Sequence, residues 1–193
     1  MNFLSHLYLS GESEGLLIGN FIADSVKGTA FNNFSVEVQK GILLHRKIDA
    51  YTDSHPIVEE SKKRLRIKYK KYASVIVDVY YDHYLAANWS DYSQESLDEY
   101  TKKIYSLIEL HKHSFPIKSQ LFTKYMLEHN ILAAYAHLEG IGKVLQGMSQ
   151  RTSFISNMEH SIRDLKEHYP LFEQEFKLFF PELQQFVNAQ IEI

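Results

Sequence analysis

The stretch GILLHRKIDAYTDSHP, residues 41–56, breaks an apolar helical pattern with His45, Arg46, Lys47, Asp49 and Asp53. On a helix turning about 100° per residue, His45 and Asp49 share one stripe. An imidazole and a carboxylate so spaced can converge on one ion, or simply on each other. The arrangement recurs along the chain. Asn20 and Asp24 stand four apart in LLIGNFIADSVKG, Asp78 and Asp82 share a stripe in VIVDVYYDH with His83 directly after, and His6 sits among the apolar residues of NFLSHLYLS. A carboxylate on an apolar helix must be paired, protonated or bound to a cation, because burying a bare charge is costly. One convergent Asp/His metal site is the simplest single explanation, with structural His–Asp pairs as the alternative. Carboxylate and imidazole without thiolate suit Mn²⁺, Fe²⁺, Zn²⁺ or Mg²⁺ better than Ca²⁺. Such a centre activates water and neutralises charge on a phosphoryl oxygen. The chain has no HExxH, Walker lysine loop or GxSxG, and no Glu-x-x-His of the ferritin-like di-iron bundles.

Helices must carry these residues, since helical periodicity dominates and no segment alternates with period two. The pattern predicts helices over about 2–10 and 16–27, the second stopped by Gly28. Ser35 is a fitting N-cap for a helix reaching about Asp53, and Pro56 fits the first turn of one reaching about Tyr72. Residues 73–89 are apolar nearly all round, which predicts the central helix. Further helices are expected over 93–113 and from Pro116, with Gly140, Gly142 and Gly147 interrupting the segment that follows. Residues 151–169 and 170–190 read as two closing helices, the last contributing Phe172, Phe176, Phe179, Phe180 and Phe186 to the core. The expectation is one all-α domain, a helical bundle spanning residues 1–193.

Bulk properties agree. With 193 residues, 45% hydrophobic and 23% charged, the chain is long enough for one sizeable core. Eight glycines and four prolines are few for a chain of hairpins. No cysteine is present, which excludes disulfides and thiolate metal sites. No signal peptide and no membrane-spanning segment are read, so a cytoplasmic location is expected. The net charge of −3 hides a local excess: between Glu59 and Tyr72, seven Lys/Arg face two Glu.

The motifs MNFLSHLYLS, GNFIAD with VKG, GILLHRKIDAYTD, DVYYDHYLAANW, GMSQR and DLKEHYPLFEQEFKLFFP, in this order over residues 1 to about 181, resemble the acyl carrier protein phosphodiesterase family. The resemblance implies an all-helical hydrolase distantly similar to the HD-type metal phosphohydrolases. It would remove 4′-phosphopantetheine from the serine of holo-acyl carrier protein, with Mn²⁺ the favoured metal and Mg²⁺ or Fe²⁺ as alternatives. The motif positions fall on His6, Asp24, His45, Asp49, Asp82 and His83, with Arg46 and Arg151 in matching motifs. The chain has Asp82-His83 where ordinary HD proteins have adjacent His-Asp.

On this basis Asp24, His45, Asp82 and His83, with Asp49 beside them, are expected to hold one or two divalent ions. Asp49 and His6 are further catalytic candidates, His6 as proton donor to the leaving serine oxygen or as an outer partner. Arg46 is a candidate for the nonbridging phosphate oxygens, which its planar fork matches. In the basic helix, Lys63, Arg64, Lys68 and Lys71 with the exposed Ile67 form an expected docking face for the acidic carrier protein. The overall acidity and the absence of a recognised motif argue against nucleic acid as partner. Two other readings keep the same helices: an HD-like phosphohydrolase for nucleotides or small phosphoesters, and a non-enzymatic helical binding protein.

Overall fold

The computed structural model describes residues 1–191. The helices are α1 (Phe3–Leu9), α2 (Glu14–Ile22), α3 (Val36–Ser54), α4 (Pro56–Tyr69), α5 (Ala73–Ala87), α6 (Leu97–His111), α7 (Ile117–Glu128), α8 (Ile131–Ala134), α9 (Leu138–Gln150), α10 (Ile162–Glu167) and α11 (Tyr169–Ile191). Short 3₁₀ turns link several of them, and no strand occurs among the described residues. The fold is all-α, as the periodicity requires.

α5 is the central helix. Eleven of its fifteen residues are buried, and its Tyr80 and Tyr81 meet Phe172 and Phe176 of α11 edge to face at 5.1 and 5.6 Å. The closing phenylalanines Phe172, Phe176, Phe179 and Phe180 are fully buried. Phe186 is half-buried and stacks on Tyr51 of α3 at 4.4 Å. The buried residues of all these helices form one continuous cluster.

Three segments differ from expectation. Gly140, Gly142 and Gly147 all lie inside α9, which they do not interrupt. Its tertiary contacts outweigh the propensity cost of glycine. Residues 151–157 are not helical; Asn157 adopts a left-handed conformation (φ 56°) and only the short α10 follows. The segment from 16 to 27 also ends early, giving way after Ile22 to a 3₁₀ turn over Ala23–Ser25.

One packing feature positions the site. A Cβ on Gly19 would lie 2.1 Å from the Val38 carbonyl oxygen, and one on Gly41 would lie 2.4 Å from that of Leu16. α2 and α3 therefore cross backbone to backbone, which no larger residue permits. The crossing sets Asn20 and Asp24 against His45 and Asp49.

Candidate metal centre

His6 comes from α1, Asn20 from α2, Asp24 from the 3₁₀ turn after it, and His45 and Asp49 from α3. They line a cleft of about 370 Å³ together with Asp78 of α5. The rings of His6 and His45 stack at 4.0 Å. Asp49 spans the two: its Oδ1 lies 3.1 Å from His6 Nε2 and its Oδ2 lies 3.2 Å from His45 Nε2. Asp24 Oδ1 approaches the same His45 Nε2 at 3.4 Å. Donor atoms of His6, His45 and Asp49 all lie within 4.8 Å of one another, close enough to share one ion.

Asn20 orients this cluster. Its amide nitrogen donates to the His6 carbonyl and to Ser10 Oγ, both at 2.9 Å. Its carbonyl oxygen must then accept from His45 Nδ1, at 2.9 Å. The proton of a neutral His45 is thereby fixed on Nδ1, and the Nε2 lone pair points at two carboxylates. Lone pair and carboxylates repel unless a cation sits between them. A proton can fill that role: burial disfavours the His45 cation, but Asp24 and Asp49 outweigh burial and hold its pKa up at about 9. A divalent ion fills the same role, with a neutral His oriented through its other nitrogen. The donor set fits such an ion. Asp49 is held well below the usual carboxylate range; burial opposes this, but the hydrogen bonds of both histidines prevail. Burial, and then the neighbouring His45, lowers His6 to about 4, and its Nδ1 is buried without a partner. In the metal-free protein His6 is thus a neutral imidazole near pH 7, a state able to ligate an ion.

The two histidines imply a pH signature for metal-free protein. His45, raised from about 6.5, contributes stability that is full below pH 6.5 and lost as pH rises to about 9. His6, lowered from the same value, removes stability as pH falls from about 6.5 to about 4. Urea unfolding across pH 4–9 in chelator should show a maximum near pH 6.5. The alkaline slope should flatten in His45→Ala; an unchanged slope would refute the pairing.

Three expected site residues lie elsewhere. Asp82 is fully buried, but it caps α1: Leu4 N donates to its Oδ2 at 2.7 Å, while Asn2 N, Ser5 N and Ser5 Oγ donate to its Oδ1 at 3.2, 3.3 and 2.5 Å. Burial raises its pKa to about 6, against these donors. Its lone pairs are committed to the helix terminus. Both nitrogens of His83 are engaged, with the Tyr135 carbonyl and the Tyr169 hydroxyl, each at 2.8 Å. In this arrangement the polar atoms of both side chains have protein partners. Arg46 points away from the cleft: it donates to the carbonyls of Val26 and Gly28 at 3.1 and 3.3 Å and lies over Phe31. It anchors the loop that follows Asp24.

Asn20 and Asp78 were visible in the sequence as polar stripe residues, though without a role. Asp78 accepts from the Met1 amine at 2.9 Å at the cleft wall. The pairing could not be read from spacing, because the partner lies 77 residues away.

An all-helical protein with a histidine–carboxylate cluster in an open cleft is what fold and site together define. Comparison with known proteins makes this specific. The chain belongs to the acyl carrier protein phosphodiesterase family, whose model it matches over residues 1–183. It is 34% identical over 186 residues to an acyl carrier protein phosphodiesterase of Photorhabdus laumondii, covering 96% of this chain and 94% of the relative. Proteins of the same description from Yersinia enterocolitica (34% over 184 residues, 95% of each chain) and Pectobacterium atrosepticum (32% over 191 residues, 98% and 99%) are also similar. No solved structure matches the chain. No helix among the described residues is long and apolar enough to cross a membrane.

Proposed function

We propose that the chain hydrolyses the 4′-phosphopantetheine–serine phosphodiester of holo-acyl carrier protein, leaving apo-carrier, at the cleft where α1, α2 and α3 meet. The observation that carries this reading is the convergence of His6, His45, Asp24 and Asp49 on one open space in a chain of this family. These four are the proposed ligands of a divalent ion, Mn²⁺ first, Mg²⁺ or Fe²⁺ as alternatives. The ion would supply Lewis-acid chemistry, polarising the phosphodiester and acidifying water. The protein's part is to hold two neutral imidazoles stacked, to span them with Asp49 and to fix the His45 tautomer through Asn20. We place the reaction in the cytoplasm, in keeping with the absence of cysteine. The whole chain acts as one catalytic domain in this reading.

The carrier-docking face narrows. Five of the seven cations in the basic run are answered by this chain's own carboxylates: Lys62 by Asp53, Lys63 by Glu60, Arg64 by Glu175, Arg66 by Glu59 and Lys68 by Asp164, at 2.5–2.7 Å. Lys70 and Lys71 have no such partner among the described residues. Lys71 lies 4.6 Å over the ring of Phe154, which is exposed together with Ile155. Lys71 is followed within four residues by Ser74 and Val75, which line the cleft. Ile67, at 88% exposure, extends the apolar part along α4. A cationic, partly apolar rim beside the cleft suits an acidic protein substrate better than a free phosphoester.

The direct test incubates purified protein with holo-acyl carrier protein and Mn²⁺ and follows loss of the prosthetic group by mass. Conversion to apo-carrier, abolished by chelator and restored by Mn²⁺, is expected; conversion unaffected by chelator would remove the metal. The double variant Lys70→Glu/Lys71→Glu should raise KM for the carrier about tenfold with kcat little changed, as loss of electrostatic steering does. An unaltered KM would move docking elsewhere.

A further inference from the structure

A second cavity, of about 680 Å³, opens beside the metal cleft. Phe3, Phe21 and Asp24 belong to the walls of both, so the two spaces meet at a proposed metal ligand. Its volume falls within the roughly 300–1,000 Å³ typical of small-molecule sites. The floor is aromatic, with Phe122 stacked on Phe3 at 4.4 Å. Two cations, Lys118 at the start of α7 and Arg151 after the end of α9, line it without an acidic partner among the described residues. The Arg151 guanidinium rests 5.8 Å over the Tyr125 ring, which leaves its donors available. Asp24 is the only carboxylate in the wall, and it belongs to the metal cluster. The cavity wall therefore carries net positive charge together with aromatic and hydroxyl surface.

We propose that this cavity is the subsite for the pantetheine arm, with Arg151 and Lys118 as contacts to the phosphate oxygens. The inference rests on the activity proposed above and extends it to where the leaving arm goes. A phosphodiester has two substituents. The serine side must stay with the bulky carrier protein at the open rim, so the other must leave in a different direction. The arm carries a phosphate, a dimethyl-substituted carbon, a hydroxyl, two amides and a thiol. Aromatic rings suit its hydrocarbon parts, while Gln150 and Tyr125 offer hydrogen bonds to its amides. Arg151 has the planar donor fork that phosphate recognition calls for, and unlike Arg46 it faces a cavity.

Gly147 provides a clean test. It lies in α9 on the cavity wall and outside the metal cleft, with a helical backbone that accepts a side chain. A Cβ there would meet Tyr125 Oη at 3.3 Å, so Gly147→Leu fills the cavity from its own helix. Binding of free 4′-phosphopantetheine and of pantetheine to the full chain, with and without Mn²⁺, is measured by calorimetry. Wild type should bind the phosphorylated arm more tightly; Gly147→Leu should weaken both ligands tenfold or more, and Arg151→Ala only the phosphorylated one. Circular dichroism and Mn²⁺ binding of each variant report the fold and the metal cluster. Wild-type affinity in Gly147→Leu, or no binding by wild type, would overturn the subsite. Failure of wild type to convert holo-carrier while the arm still binds would strike the activity instead and leave the subsite standing.

Discussion

His45→Ala is expected to reduce conversion of holo-acyl carrier protein about a thousandfold or more while leaving helical content unchanged. His45 lies between Asp24 and Asp49, with its tautomer fixed by Asn20. Its loss removes a donor from the proposed ion and leaves two carboxylates facing a hole. Metal-derived stabilisation of a phosphoryl transition state is worth several kcal/mol, and each 1.4 kcal/mol is about tenfold in rate. The fold should tolerate the change because Asp24 is largely exposed and water can solvate it. Asn20→Ala is the graded companion: losing an outer partner of a ligand costs about 10–100-fold in metal affinity. Steady-state rates and Mn²⁺ titrations of both variants check the pair. Near-normal turnover by purified His45→Ala would sink the centre.

Asp82→Ala is expected to act on stability rather than on chemistry. The carboxylate accepts three backbone N–H groups and the Ser5 hydroxyl at the start of α1, where no intrahelical partner exists. Removing it leaves buried donors unsatisfied, at a cost of about 3 kcal/mol. For a chain of this size, roughly 2–4 °C in Tm accompanies each kcal/mol, so a fall of about 10 °C is expected in a thermal melt. α1 also carries His6, so activity should decline near the lowered Tm, yet Mn²⁺ should still bind well below it. Loss of Mn²⁺ binding in protein that is fully folded would instead restore Asp82 as a ligand.

The contrast between His45 and Asp82 shows how far a sequence carries. Helical period sorted the polar residues onto stripes, and it placed His45 and Asp49 together because four residues on one helix are neighbours in any fold. The apolar wrap of residues 73–89 likewise marked α5 as central, and of the five phenylalanines expected in the core from the closing helix, Phe172, Phe176, Phe179 and Phe180 are fully buried while Phe186 is half-buried. The family likeness pointed to the right class of protein over nearly the whole chain.

A period says which residues share a face; it does not say what that face meets. Asp24 and Asp82 are equivalent in type and setting along the chain, yet one reaches a histidine and the other a helix terminus. That difference comes from the Gly19–Gly41 crossing and from where α1 lies on α5. The basic run shows the same limit. Its net charge was evident, but the carboxylates that answer Arg64 and Lys68 come from Glu175 and Asp164, roughly a hundred residues on. Local spacing is a property of the sequence because the backbone repeats. Long-range pairing belongs to the tertiary structure, because only packing brings distant carboxylates, imidazoles and cations within hydrogen-bonding reach.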